Sequence, residues 1–142
     1  MEDGIILPMI AKARCLVEAK ADLTGELLFS SKPIAFLQGV DPEKGCVKDK
    51  KHELYNKIFT GKILVFPNSV GSSVGAYVIY QLKENGVAPR AIINQVSDII
   101  TASGCALSGI PLYDLPEKKL EMQFSKAREV EIRKNCELLM KY

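Results

Sequence analysis

Residues 62–95 limit most strongly what this chain can fold into. Lys62 leads into Ile63, Leu64, Val65 and Phe66, an unbroken apolar run of strand length, and a run without polar alternation suits a strand buried on both faces. From Ser73 to Asn85, the residues Val74, Tyr77, Val78 and Leu82 recur at spacings of three and four, and Asn85-Gly86 is a stop signal. The spacing predicts a helix over 73–85. After Pro89 comes a second apolar run, Ala91-Ile92-Ile93. Strand, helix and strand within about thirty residues make a βαβ unit, with two parallel strands and a right-handed crossover. An α/β fold is expected.

The flanking sequence adds strands at both ends. Residues 12–20 and 25–29 mix apolar and polar positions around the turn signal Asp22-Leu23-Thr24-Gly25 and are predicted as strands beside a bend. Residues 33–42 are predicted as a short strand or an apolar turn closed by Asp41-Pro42, and 41–53 as a polar loop. Residues 98–109 are rich in small side chains and suit a short, closely packed helix with Asp98 as its cap. Residues 110–115 suit another strand. In the tail, Val130 and Ile132 alternate, then Leu138 and Met140, with Asn135-Cys136 at a turn between them. That pattern reads as a hairpin, while the charged stretch from Glu117 onward is equally drawn as a helix, and periodicity alone leaves both open.

A chain of 142 residues is one domain's worth, 1–142, with no repeat or low-complexity linker to divide it. Its 47% hydrophobic and 25% charged residues are those of a globular protein, and a net charge of +2 gives no electrostatic reason for a nucleic-acid or membrane partner. The start carries acids and is interrupted by Pro8 and Lys12, so no secretory leader is expected, and no apolar run reaches membrane-spanning length. A cytoplasmic location is expected. Cys15, Cys46, Cys105 and Cys136 stand singly, without a C-x-x-C pair, and are expected to be buried or incidental thiols, with disulfides disfavoured in a reducing compartment. With His52 the only histidine, no metal site is expected.

Between the first strand and the helix lies Gly71-Ser72-Ser73-Val74-Gly75, which fits the G-x-S-x-G pattern of serine hydrolases. That chemistry needs the strand to run straight into the first glycine and a histidine after the serine. Residues 67–70 intervene, and no histidine follows Ser73. A nucleoside triphosphate cradle is also unsupported, because no G-x-x-x-x-G-K-[ST] lysine is present. A turn that opens a helix does offer free N–H groups and the positive end of the helix dipole to an anion. Two readings remain. Ser72 or Ser73 caps the helix, or a serine among N–H donors bears its charge cheaply enough to take a proton from a carbon next to a carboxylate, which is a dehydratase's task.

The stretch LVFPNSVGSSVGAYVIYQLKENGVAPRAIINQ, together with GVDPEKGCVKDKKHEL before it, resembles the small subunit of the aconitase X group over about half the chain. The resemblance implies a swivelling β/β/α domain like the C-terminal domain of aconitase. It also implies a separate large catalytic subunit that carries a [4Fe-4S] cluster and most of the pocket, with no cofactor held in this chain. The implied activity is that of a hydro-lyase. In archaeal members the substrate is (R)-5-phosphomevalonate, a small phosphorylated hydroxy acid, which becomes trans-anhydromevalonate 5-phosphate in the mevalonate route to isoprenoids. Bacterial members act on cis-3-hydroxyproline. A non-catalytic anion-binding or regulatory module is the competing class.

Carried over by position, Ser72 matches the family's proton acceptor, with Gly71, Ser73, Ser69 and Gly75 as substrate-binding residues around it. The resemblance further implies that the cluster's open iron assists the departing hydroxyl. His52 matches a recurring family histidine and is expected to fix its loop, and Asp41 and Asp49 to form turns. Two positions depart from the family pattern: Val70 stands where a basic residue is frequent, and Ala76 where a serine is. Without a cation at 70, a substrate phosphate is left to the partner.

Overall fold

A computed structural model describes residues 9–142; residues 1–8, on which the expectation of no leader partly rests, lie outside the described residues. The central layer is an eight-stranded sheet of order β1-β10-β9-β3-β6-β7-β8-β2. Its members are β1 (Met9–Lys12), β2 (Arg14–Val17), β3 (Leu23–Phe29), β6 (Ile63–Val65), β7 (Ala91–Asn94), β8 (Leu112–Asp114), β9 (Glu129–Ile132) and β10 (Glu137–Lys141). β3, β6, β7 and β8 run parallel, and the remaining pairings are antiparallel. β1 and β2 sit at opposite ends of this order, yet only Ala13 separates them in the chain. The sheet therefore curls until its two ends meet, and the Ala13 N–H donates to the Cys136 carbonyl at the seam. β3 plays the matching part on the other side. Its first half pairs with β9 and its second half with β6.

The uninterrupted apolar runs are explained by burial on both faces. Ile63 and Val65 of β6, with Ala91 and Ile93 of β7, point into the curl and pack with Val130, Ile132, Leu138 and Met140. Leu64 and Ile92 point the other way, toward α2 (Gly75–Glu84) and α3 (Ile99–Ser108). α2 is the expected helix, but it is rotated relative to the expected stripe. Val78, Ile79 and Leu82 are buried, while Val74 and Tyr77 are exposed. α3 begins at Asp98, whose side chain accepts from Ile100 and Thr101, and ends at Gly109, which takes the left-handed conformation with φ 73°. The βαβ unit and the α/β class stand as read.

Three expectations need correction. Residues 33–42 are strand only at their end: α1 (Phe36–Gly39) is one helical turn closed by the Gly39 N–H on the Ala35 carbonyl, followed by the two-residue strand β4 (Val40–Asp41). The polar loop 41–53 contains β5 (Cys46–Val47), which pairs with β4. Cys15 and Cys136 are not free thiols but a disulfide, formed because β2 and the β9–β10 turn bring their Cα atoms to 5.9 Å across 121 residues of sequence. The tail resolves as the β9–β10 hairpin, and the charged stretch before it contributes only the short α4 (Leu120–Phe124).

Candidate active site

The C-terminal ends of the parallel strands carry the Gly/Ser turn, as expected for ligand crevices in open α/β sheets. After β6 the chain is pinned on two sides. The Ile34 N–H donates to the Asn68 carbonyl at 3.2 Å, and the Val70 N–H returns to the Ile34 carbonyl at 3.0 Å. On the other side the Ser69 N–H donates to Asp98 Oδ1 at 2.7 Å, and the Ser69 hydroxyl donates to Asp98 Oδ2. The turn then projects. Gly71 has φ 92°, a conformation that explains the glycine, and residues 71–74 are all exposed.

Ser72 does not cap α2. The residue at that position is Val74, which has no side-chain cap to offer. Instead the Val74 N–H donates to Ser72 Oγ at 3.1 Å, and the Gly75 N–H to the Ser72 carbonyl at 2.9 Å. Among the described residues, the N–H groups of Gly71, Ser72 and Ser73 donate to no protein acceptor. The turn therefore presents one serine hydroxyl that already receives an N–H, beside three free donors at the positive end of a ten-residue helix. Such a surface favours an anion, and it favours negative charge on Ser72 Oγ itself.

Of the other expected residues, Gly71 and Ser73 share this exposed turn, but Ser69 and Gly75 lie behind it. Ser69 is 5% exposed and turned onto Asp98. Gly75 is buried, and a β-carbon there would stand 3.2 Å from Ile100 Cγ2 and 3.4 Å from Phe36 Cβ. Both hold the turn from beneath. Both ring nitrogens of His52 are engaged by backbone, Nε2 with the Pro33 carbonyl at 3.0 Å and Nδ1 with the Leu54 N–H at 3.0 Å. Neither is left to activate a serine. Asp41 accepts from Glu43 and Lys44, and Asp49 from Lys51, as turn formers do.

Sequence reasoning missed two carboxylate junctions at this edge. Asp98, recognised only as a cap, also holds Ser69. Burial alone would raise its carboxyl, but hydrogen bonds from Ser69 and Thr101 hold it below the usual carboxylate range. Asp114 is fully buried. It takes Arg14 Nε and Nη2 at 2.7 Å each and the Ser97 N–H at 2.9 Å. Asp114 ends β8 and Asp98 opens α3 four residues beyond β7, and these places are the signal that could have found them once the strand order is known. Among the described residues, no three His, Cys, Asp or Glu side chains converge as metal ligands.

The aconitase X swivel-domain profile matches residues 10–140. The chain belongs to the aconitase X swivel-domain family. Among its curated relatives is the phosphomevalonate dehydratase small subunit of Methanosarcina acetivorans, 49% identical over 113 residues, 80% of this chain and 77% of that one. The protein of the same name from Methanothermobacter thermautotrophicus is 41% identical over 118 residues, 83% of this chain and 90% of the relative. A crystal structure of Thermococcus kodakaraensis aconitase X in its holo-form matches with a TM-score of 0.83 at 38% identity, covering 94% of this chain and 99% of that one.

In this swivel domain the exposed turn is framed by apolar side chains rather than by cations. Val70, Val74 and Tyr77 from the turn and α2, with Ile99 at the start of α3, are 45–79% exposed. The departure at Val70 thus puts an exposed apolar side chain, not a cation, two residues before Ser72.

Proposed function

We propose that this chain is the small subunit of a two-subunit dehydratase that converts (R)-5-phosphomevalonate to trans-anhydromevalonate 5-phosphate, with Ser72 as the base. The observation that carries the proposal is the exposed Gly71–Val74 turn, with the Val74 N–H on Ser72 Oγ, in a chain whose relatives bear the name phosphomevalonate dehydratase small subunit. Ser72 takes the proton from the carbon next to the substrate carboxylate, and the hydroxyl on the neighbouring carbon leaves. The Val74 N–H and the helix dipole stabilise the serine oxygen while it carries charge. The free N–H groups of Gly71 and Ser73 orient an anionic substrate group.

One wall of a site is all this chain supplies. The uncharged collar of Val70, Val74, Tyr77 and Ile99 suits a protein partner, and the large subunit is the partner assigned here. The substrate phosphate is assigned to that subunit, because no cation stands at position 70. The iron–sulfur cluster that the resemblance to the aconitase X group implies is assigned to that subunit as well.

Anaerobic co-expression with the candidate large subunit tests the proposal, with loss of (R)-5-phosphomevalonate followed for the pair and for each subunit alone. Turnover by the pair only is the expected result. A stable pair that leaves (R)-5-phosphomevalonate untouched but dehydrates another hydroxy acid would replace the substrate, and absence of any complex would overturn the proposal.

A further inference from the structure

We infer that Asp98 is a positioning residue for Ser72, acting through Ser69; the inference rests on the proposed role of Ser72 as base. The Asp98 carboxylate joins two segments that are 29 residues apart in sequence. Oδ1 accepts the Ser69 N–H at 2.7 Å and the Thr101 hydroxyl at 3.0 Å. Oδ2 accepts the Ser69 hydroxyl and the N–H groups of Ile100 at 3.0 Å and Thr101 at 3.1 Å. A helix cap needs only the bonds to the first turn of α3. The two to Ser69 are additional, and they tie the loop after β6 to the helix after β7.

That tie sits three residues before Ser72. On the far side of Ser72, Gly75 packs against Ile100, which is itself in the turn that Asp98 caps. The projecting turn is thus fastened to the start of α3 at both of its feet, by hydrogen bonds at Ser69 and by close packing at Gly75. Gly71 between them has no β-carbon to restrict its backbone and stands at φ 92°, so releasing one foot lets the turn pivot there. A displacement of about 1 Å at a reacting group can cost on the order of 100-fold in rate. Asp98 therefore sets where Ser72 Oγ stands without touching substrate.

Three substitutions separate this role from ordinary structural support. Asp98→Asn keeps an oxygen at the Oδ2 position to cap α3 and hold the Ser69 hydroxyl, but turns an amide NH2 toward the Ser69 N–H and the Thr101 hydroxyl. Ser69→Ala removes the hydroxyl half of the tie. Thr101→Val removes an Asp98 hydrogen bond on the helix side and leaves Ser69 untouched. In the two-subunit complex, Asp98→Asn and Ser69→Ala are expected to lower kcat at least about tenfold with KM within about twofold, and the double variant to be no worse than the weaker single one. Thr101→Val is expected to hold kcat within about twofold at a similar cost in Tm.

The turn can also be read in the small subunit alone by amide hydrogen exchange at Val74 and Gly75, whose N–H groups bond to Ser72. Asp98→Asn and Ser69→Ala are expected to speed that exchange about tenfold, and Thr101→Val to leave it unchanged. Unchanged exchange in the first two variants, or equal effects in all three, overturns the inference whatever the substrate proves to be. A wild-type pair with no turnover, with the exchange pattern as expected, overturns the proposed function and leaves the tie standing.

Discussion

Gly104 of α3 lies against Ile79 of α2 so closely that a β-carbon at 104 would stand 2.8 Å from Ile79 Cβ and 3.0 Å from the Ala76 carbonyl oxygen. Backbone is part of that contact, so no side-chain rotation relieves it. Gly104→Ala gains about 1 kcal/mol in helix propensity and loses about 1–3 kcal/mol to overpacking, or more if the helices must separate. Net destabilisation of up to about 2 kcal/mol is expected from those terms, read as a lower urea midpoint at unchanged m-value. A stabilised variant would show that the helices part freely.

The Cys15–Cys136 disulfide fastens the seam where the curled sheet closes. Thiol titration in denaturant without reductant is expected to find only Cys46 and Cys105, and with reductant all four cysteines. In the native protein Cys105 should stay unreactive, since burial, with the charge of Asp98 adding to it, pushes its thiol up to about 12. Cys15→Ser is expected to cost about 2–5 kcal/mol through the longer reach of the unfolded chain. Four thiols without reductant would remove the disulfide.

Asp98 makes the protein acid-sensitive in a defined sense. Its carboxyl is held below the usual range in the folded state, against the effect of burial, by bonds from Ser69 and Thr101. A depressed group contributes its stability above the unfolded value, about 3.9 for Asp, and loses it as pH falls through the folded value. The stability gap between wild type and Asp98→Asn should therefore be full at neutral pH and close below about pH 4. Urea midpoints across that range check it, and a constant gap would contradict it.

The sequence carried the βαβ unit because Ile63–Val65 and the 91–93 run are buried on both faces and so are apolar throughout. It carried the existence of α2 but not its orientation, since Val74 and Tyr77 belong to an exposed collar rather than to the core. The projecting serine turn was visible in the glycines and serines themselves. What stayed hidden depends on distant partners: the disulfide across 121 residues, the sheet closure at Ala13, and the carboxylate ties of Asp98 to Ser69 and of Asp114 to Arg14. No local pattern encodes which strand ends become neighbours.

The most direct test of Ser72 as the base is the turnover of the assembled complex carrying Ser72→Ala, with Ser73→Ala as its companion. Ser72→Ala removes the oxygen that the Val74 N–H supports and is expected to lower kcat by at least about 100-fold while the complex still assembles. Ser73→Ala should change KM more than kcat. A Ser72→Ala complex that keeps wild-type turnover would contradict the assignment of Ser72 as the base.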